Sequence, residues 1–199
     1  MAPLVILIRH AEALHTHDWS LPDPSLSDRG INHSRKLQEA LERGFSYSPD
    51  ECLIVVSPLR RTLQTVKYGL RWLRNRGVRV EVRAEWQETT DNPCDIGDDP
   101  LMIQAEWPDI DFSTLDPIYP QKTGLYENSE DAFRRRGAVA KDWLSNRPEK
   151  CIIVVTHSGF LKRLVKGPKY QNLEFRSYEL VENSDGLDLE EIRRVTIDE

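Results

Sequence analysis

The sequence predicts an α/β fold: a three-layer sandwich with a mainly parallel central sheet and helices on both faces. Three observations carry that expectation. First, Leu4–Ile8, Cys52–Val56 and Cys151–Val155 are continuous apolar runs of strand length, as expected of strands buried on both faces. Second, the stretches between them place apolar residues three and four apart, the helical period. Third, each run ends in a polar cluster: Arg9-His10, then Ser57-Pro58-Leu59-Arg60-Arg61, then Thr156-His157-Ser158-Gly159. Open α/β sheets bind ligands outside the carboxyl ends of their strands, so these clusters converge on one edge. A histidine just after one strand is ordinarily a loop residue; three polar clusters on one edge mark a site.

The elements follow in order. After His10 comes a polar loop holding His15, Thr16, His17, Asp18 and Trp19, with Pro22 and Pro24. Leu26-Ser27-Asp28-Arg29-Gly30 opens a helix, with Ser27 as N-cap and an acidic first turn. Ile31, Leu37, Ala40 and Leu41 form its apolar stripe, and Gly44 can close it. The strand from Cys52 leads into a second helix with Leu63, Val66, Leu70 and Leu73 on one face, ending near Gly77. Val78, Val80 and Val82 alternate with charged residues, as in a strand at the sheet edge. Residues 86–128 differ: Pro93, Pro100, Pro108, Pro117 and Pro120 punctuate them, and Asp95, Asp98 and Asp99 cluster inside. Such a segment is expected to be a cap or lid over the pocket. Ser129-Glu130-Asp131 starts a further helix with Ala132, Phe133, Val139, Trp143 and Leu144 inward. The strand from Cys151 is followed by a short helix over Phe160–Val165. Leu173–Glu182 and Leu189–Ile197 read as two strands across a Ser184-Asp185-Gly186 turn. The expectation is a single domain over residues 1–199.

Composition narrows the function classes. The net charge is −6, from 27 basic and 33 acidic residues, which argues against a general nucleic-acid or membrane-surface binder. A local cluster of Arg and His can still attract an anionic small molecule. Three cysteines, Cys52, Cys94 and Cys151, lack a framework spacing and point to reduced thiols. No signal-peptide pattern and no apolar run of membrane-spanning length is visible, so the expected location is the cytoplasm. Oligomeric state and substrate identity are not readable.

Arg9-His10-Ala11, Ser57-Pro58-Leu59-Arg60-Arg61-Thr62 and Thr156-His157-Ser158-Gly159 resemble, in that order, the motifs of the histidine phosphatase superfamily, best its compact phosphoglycerate mutase-like branch. The resemblance runs from Arg9 to about Arg163. It implies a metal-independent phosphatase that acts on a small phosphomonoester through a phosphohistidine, with no cofactor. It assigns the nucleophile to His10 and a supporting role to His157. Arg9 and Arg61 are fork-shaped donors suited to phosphate oxygens; the motif selects Arg61 over Arg60. Glu88, ahead of Glu85, matches the general acid of the family, and Thr16 and Ser158 are further phosphate-side candidates. Two positions depart from the pattern. Ala11 stands where the family has Gly, which would strain a positive φ. Thr16 stands where it often has Asn, and a hydroxyl cannot copy an amide.

Other readings remain open. A phosphoglycerate mutase-type phosphotransferase would need extra substrate clamps. The same His, Glu and Arg could serve a lyase or isomerase on a carboxylate substrate. The chain could be a silent binding protein, although Arg9, His10, Arg61 and His157 are all intact. His10, His15, His17 and Asp18 invite a metal site, but no second ligand group with metal spacing accompanies them, and two of the histidines are expected to shape a pocket wall.

Overall fold

The computed structural model describes residues 2–184 and 186–197. Six strands form one sheet: β1 (Leu4–Arg9), β2 (Cys52–Val56), β3 (Arg79–Val82), β4 (Cys151–Thr156), β5 (Phe175–Asn183) and β6 (Gly186–Val195). Their order is β3-β2-β4-β1-β5-β6. The first four are parallel; β5 and β6 add an antiparallel flank. The sheet is therefore mainly parallel in its centre, and β3 is an edge strand as its alternation predicted. Asp185, in the expected turn between β5 and β6, lies outside the described residues.

The register explains the convergence of motifs. Leu4 pairs with Cys151 and Arg9 with Thr156 across β1 and β4, while Cys52 pairs with Cys151 across β2 and β4. Strands of five or six residues that start in register end nearly level, so Arg9, Ser57 and His157 leave the sheet side by side. Every residue of β2 and β4 is buried. All three cysteines are free and buried.

Successive side chains alternate between two cores. Ile6, Ile8, Ile54, Val56, Ile153 and Val155 face one layer with Leu37, Leu41, Leu63, Val66, Leu70 and Leu73. Val5, Leu7, Leu53, Val55, Ile152 and Val154 face the other, with Ala140, Leu144, Phe160, Leu161 and Leu164. The first layer holds α1 (Asp28–Glu42), α2 (Arg60–Gly69) and α3 (Arg71–Asn75); the second holds α5 (Glu130–Ser145) and α6 (Ser158–Leu164). α4 (Pro100–Glu106) lies in the proline-rich segment. Each fully buried aliphatic side chain contributes about 1.5–3 kcal/mol, which makes the two cores the main source of rigidity at the strand ends.

The helix caps are those the sequence signals. Ser27 accepts from the Gly30 N–H, and Ser129 from the Ala132 N–H. A Cβ at Gly30 would stand 2.0 Å from the Glu12 carbonyl oxygen, so glycine lets α1 dock against the chain just past His10.

Three expectations need correction. The helix after Ser57 is not continuous to Gly77; it breaks at Leu70 (φ −113°, ψ 16°). Gly69 there approaches Ser34 and Leu37 of α1, and the break keeps Leu70 and Leu73 both in the core. Val139 does not face inward but is 42% exposed. The buried stripe of α5 runs through Phe133, Arg136, Gly137, Ala140 and Leu144, with an arginine at an inward position. The short helix after β4 begins at Ser158 rather than Phe160, immediately after His157, and ends at Leu164.

Candidate active site

His10 leaves the end of β1, and its backbone N–H donates to the Thr156 carbonyl (2.9 Å), which ties it to β4. Its ring is 2% exposed. Nδ1 lies 2.6 Å from the Ala11 carbonyl oxygen. A carbonyl only accepts, so Nδ1 carries the proton and Nε2 keeps its lone pair. Arg61 Nε donates to that Nε2 (3.3 Å), which agrees with this tautomer. Burial, then the charges of Arg61 and Arg9, hold the His10 pKa well below its ordinary value, so the ring is neutral.

His157 stands beside it, ring centroids 5.1 Å apart. Its Nε2 shares a hydrogen bond with the Ser57 hydroxyl (2.8 Å), and its Nδ1 is buried without a partner. Burial and Arg61 depress its pKa too. Arg61 lies in the first turn of α2, almost fully buried. Its terminal nitrogens donate to the Cys94 carbonyl (2.6 Å) and to Asp95 (2.8 Å). Thr90 in turn donates to the second Asp95 oxygen (2.6 Å). Arg9 donates to the Tyr170 carbonyl (2.9 Å), and its Nε is buried and unpartnered. Burial lowers its pKa, while the Glu88 carboxylate opposes that shift.

The two candidate acids separate clearly. Glu85 is in an ion pair with Arg83 (2.6 Å). Glu88 accepts from the Gly159 N–H (3.0 Å) and the Thr89 N–H (2.8 Å), directly beside the His157 strand end. A Cβ at Gly159 would stand 2.3 Å from Glu88 Oε1, so only glycine leaves room for that carboxylate. Arg60, the rival of Arg61, points elsewhere. It binds Asp98 (2.6 Å), Glu106 (2.9 Å) and the Asp23 carbonyl (2.9 Å), fastening α4 and the loop after His10 to the start of α2. Asp23 is buried, and burial raises its pKa to about 6.

Ala11 shows no strain. Among the described non-glycine residues only Asp23 and Leu173 have positive φ. The Ala11 N–H donates to Thr65 (3.1 Å), and the residue is fully buried. Thr16 is exposed. The neighbouring His15 is the one that turns inward. Its ring lies 5.5 Å from that of His10, its Nδ1 is buried and unpartnered, and burial with Arg61 and Arg9 holds its pKa down at about 4. Ser158 opens α6 next to His157 and is half-buried. Trp86 and Trp107 are core residues, whereas Trp19 is 61% exposed. Trp86 packs edge-on against Phe160, 5.7 Å between centroids.

Several residues of this site carry no signal in the sequence. Asn172 donates to the His10 carbonyl (3.0 Å), and Leu173, at φ 61°, donates to the Arg9 carbonyl (3.1 Å). Lys122 donates to the Glu88 carbonyl (2.8 Å). Each reaches the strand ends from a loop distant in sequence. Among the described residues no group of three or more His, Cys, Asp or Glu is placed to share a metal ion, and no helix is long and apolar enough to cross a membrane.

A phosphatase of Schizosaccharomyces pombe, described as probable, is 29% identical over 160 residues, 77% of this chain and 73% of that protein. The ecdysone phosphate phosphatase of the silkworm, solved with tungstate, superposes with a TM-score of 0.66 at 15% identity, covering 96% of this chain and 92% of that one. A mycobacterial glucosyl-3-phosphoglycerate phosphatase, solved with VO3, gives 0.60 at 17% identity, with 96% and 98% covered. At such identities these two structures speak for the fold alone. The family model for the histidine phosphatase superfamily, branch 1, matches residues 5–184. The chain belongs to that superfamily and is a histidine phosphatase-type hydrolase.

Proposed function

We propose that residues 1–199 act as one domain that hydrolyses a small phosphomonoester without a metal ion, through a phosphohistidine at His10. The carrying observation is the state of His10: neutral, protonated on Nδ1 by its bond to Ala11, with the Nε2 lone pair beside the Arg61 guanidinium. A nucleophilic imidazole needs those properties. Nε2 attacks phosphorus, the N–P bond forms as the ester O–P bond breaks, and Glu88 gives its proton to the leaving oxygen. Water then attacks phosphorus, Glu88 takes the water proton, and the N–P bond breaks to release phosphate.

Arg9, Arg61 and His157 would spread the charge on the equatorial oxygens. Ser158 is a further hydroxyl donor on that side. On the opposite wall, His15 rather than Thr16 supplies the donor that the missing amide would have given; its inward ring supports this. Residues 86–128 act as a cap, pinned by Arg60 and supplying Glu88 and Asp95.

The test is covalent. Brief exposure to a labelled phosphomonoester should leave acid-labile, base-stable label on the protein, and His10→Ala should abolish it. Label surviving in that variant would remove the assignment. Activity should also persist after exhaustive chelation.

A further inference from the structure

Lys122 is the one cation that the proline-rich segment brings to the catalytic edge. Its Nζ donates to the Glu88 backbone carbonyl (2.8 Å). That is a single acceptor for three N–H donors, so two donors are free to meet a ligand. Glu88 in turn reaches the Gly159 N–H two residues past His157 (3.0 Å), which puts the ammonium beside the candidate site. The residue is half-buried, with part of its surface exposed.

A second cation, Arg136 of α5, is fully buried against Phe160, the neighbour of the Gly159 that holds Glu88. None of its three guanidinium nitrogens has a hydrogen-bond partner, and its plane packs on Phe160 at 4.3 Å. A buried, unpaired guanidinium is costly, and an inward arginine on an otherwise apolar stripe calls for a charge-based reason. The surrounding groups do not neutralise the two cations. The charges that act on Lys122 are Arg136, Asp95, Glu88 and Arg61; those that act on Arg136 are Glu88, Tyr126, Arg163 and Glu85. Asp95 is engaged by Arg61, Glu85 by Arg83, and Arg163 is a further cation that pairs with Glu130. Glu88 alone remains for both, and its carboxylate is already engaged by the Gly159 and Thr89 N–H groups. Burial and Arg136 accordingly bring the Lys122 pKa down to about 7. A bound anion would restore the charge and reverse that shift.

Resting on the phosphatase reading above, we propose that Lys122 binds a second anionic group, a carboxylate or a second phosphate, carried by the leaving-group part of the substrate. The position gives the side: a cation moored on Glu88's own backbone lies where the leaving oxygen is protonated, whereas Arg9 and Arg61 serve the phosphoryl oxygens. Arg136 is a positioning residue, reinforcing the field from beneath without touching the substrate.

The experiment uses three matched probes: glycerol 3-phosphate, 3-phosphoglycerate and glycerol 1,3-bisphosphate. They differ only in a hydroxymethyl, a carboxylate or a phosphate at the far end. The wild type should favour at least one of the two doubly anionic probes over glycerol 3-phosphate, chiefly through a lower KM, and which one it favours identifies the group. Lys122→Met should shrink that preference by about tenfold or more, the usual worth of a charge-assisted hydrogen bond. Lys122→Arg should retain most of it. Vanadate affinity, which reports the phosphoryl side, should fall by a much smaller factor. A wild type indifferent to the second charge, or a preference that survives Lys122→Met, overturns the proposal. So does a loss of vanadate affinity as large as the loss of preference, which would move Lys122 to the phosphoryl side. If the wild type binds no vanadate and His10→Ala changes nothing, the phosphatase reading itself has failed and takes this subsite with it.

Discussion

The candidate site is built from two unlike regions. The ends of β1, β2 and β4 emerge from a sheet whose central strands are buried on both faces, and they fix His10, His157 and the start of α2 in register. Residues 86–128 contain only short helices, yet they deliver Glu88, Asp95 and Lys122 to the same place. The strand ends contribute uncharged imidazoles held by burial and two arginines. The irregular segment contributes the carboxylates and the extra ammonium that respond to them. The difference teaches a division of labour: the sheet sets where the phosphorus would sit, and the loop segment sets the charge around it.

The strand-end half is tested most sharply by His10→Ala. If its imidazole is the nucleophile, turnover should fall about a thousandfold or more, with folding retained, measured on nitrophenyl phosphate. A modest loss would mean that the imidazole is not the reacting group.

The loop half is tested next by Asp95→Ala, which leaves Arg61 buried with no counter-charge. Breaking such a pair costs about 3–5 kcal/mol, so the urea midpoint should fall markedly. Asp95→Asn keeps the shape and should cost less. Equal effects would show that charge is not what Asp95 supplies.

Glu88→Gln should slow alkyl phosphates by about a hundredfold while nitrophenyl phosphate, with its good leaving group, suffers far less. Equal loss on both would return the acid role to Glu85. Gly159→Ala should mimic this selectively, because its Cβ displaces the Glu88 carboxylate.

The two halves should also respond differently to pH. His10, His157 and His15 are held neutral in the folded state below their ordinary pKa. As pH falls below about 6.5, the unfolded chain takes up protons that the folded one does not. Stability should therefore drop by up to about 1.4 kcal/mol per histidine per pH unit. For His15 the loss levels off near pH 4. Asp23, raised to about 6, works the other way, since the folded state holds its proton first. Three histidines against one carboxyl give a net loss on acidification. Lys122 adds a separate rise in stability from about pH 7 upward, because the folded state sheds its proton before the unfolded state does. Urea midpoints across pH 4.5–9 check both signs.

The smallest effect concerns the loop after β1. His15→Ala should weaken vanadate binding by about 1 kcal/mol, the net worth of one hydrogen bond. Thr16→Asn, at an exposed position, should leave it nearly unchanged. Calorimetric titration of vanadate distinguishes them, and the reverse order would restore Thr16 as the ligand.

The sequence by itself determined the buried strands, the helix caps at Ser27 and Ser129, and the convergence of Arg9, His10, Arg61 and His157. All of these rest on local patterns: an unbroken apolar run, a 3.6-residue period, or a short motif at a strand end. The family resemblance, rather than any local pattern, ranked Glu88 above Glu85 and Arg61 above Arg60, and the geometry places the higher-ranked of each pair beside the histidines. Tertiary structure alone decided the break at Leu70, the outward turn of Val139 and the absence of strain at Ala11. It alone brought His15 rather than Thr16 inward, and it alone joined Asp95 to Arg61 and Lys122 to Glu88. A buried strand must show itself in composition, because every one of its side chains leaves water. A charged loop residue looks the same whether it points at solvent or at a catalytic carboxylate. Only packing chooses its partner, through contacts between residues tens of positions apart.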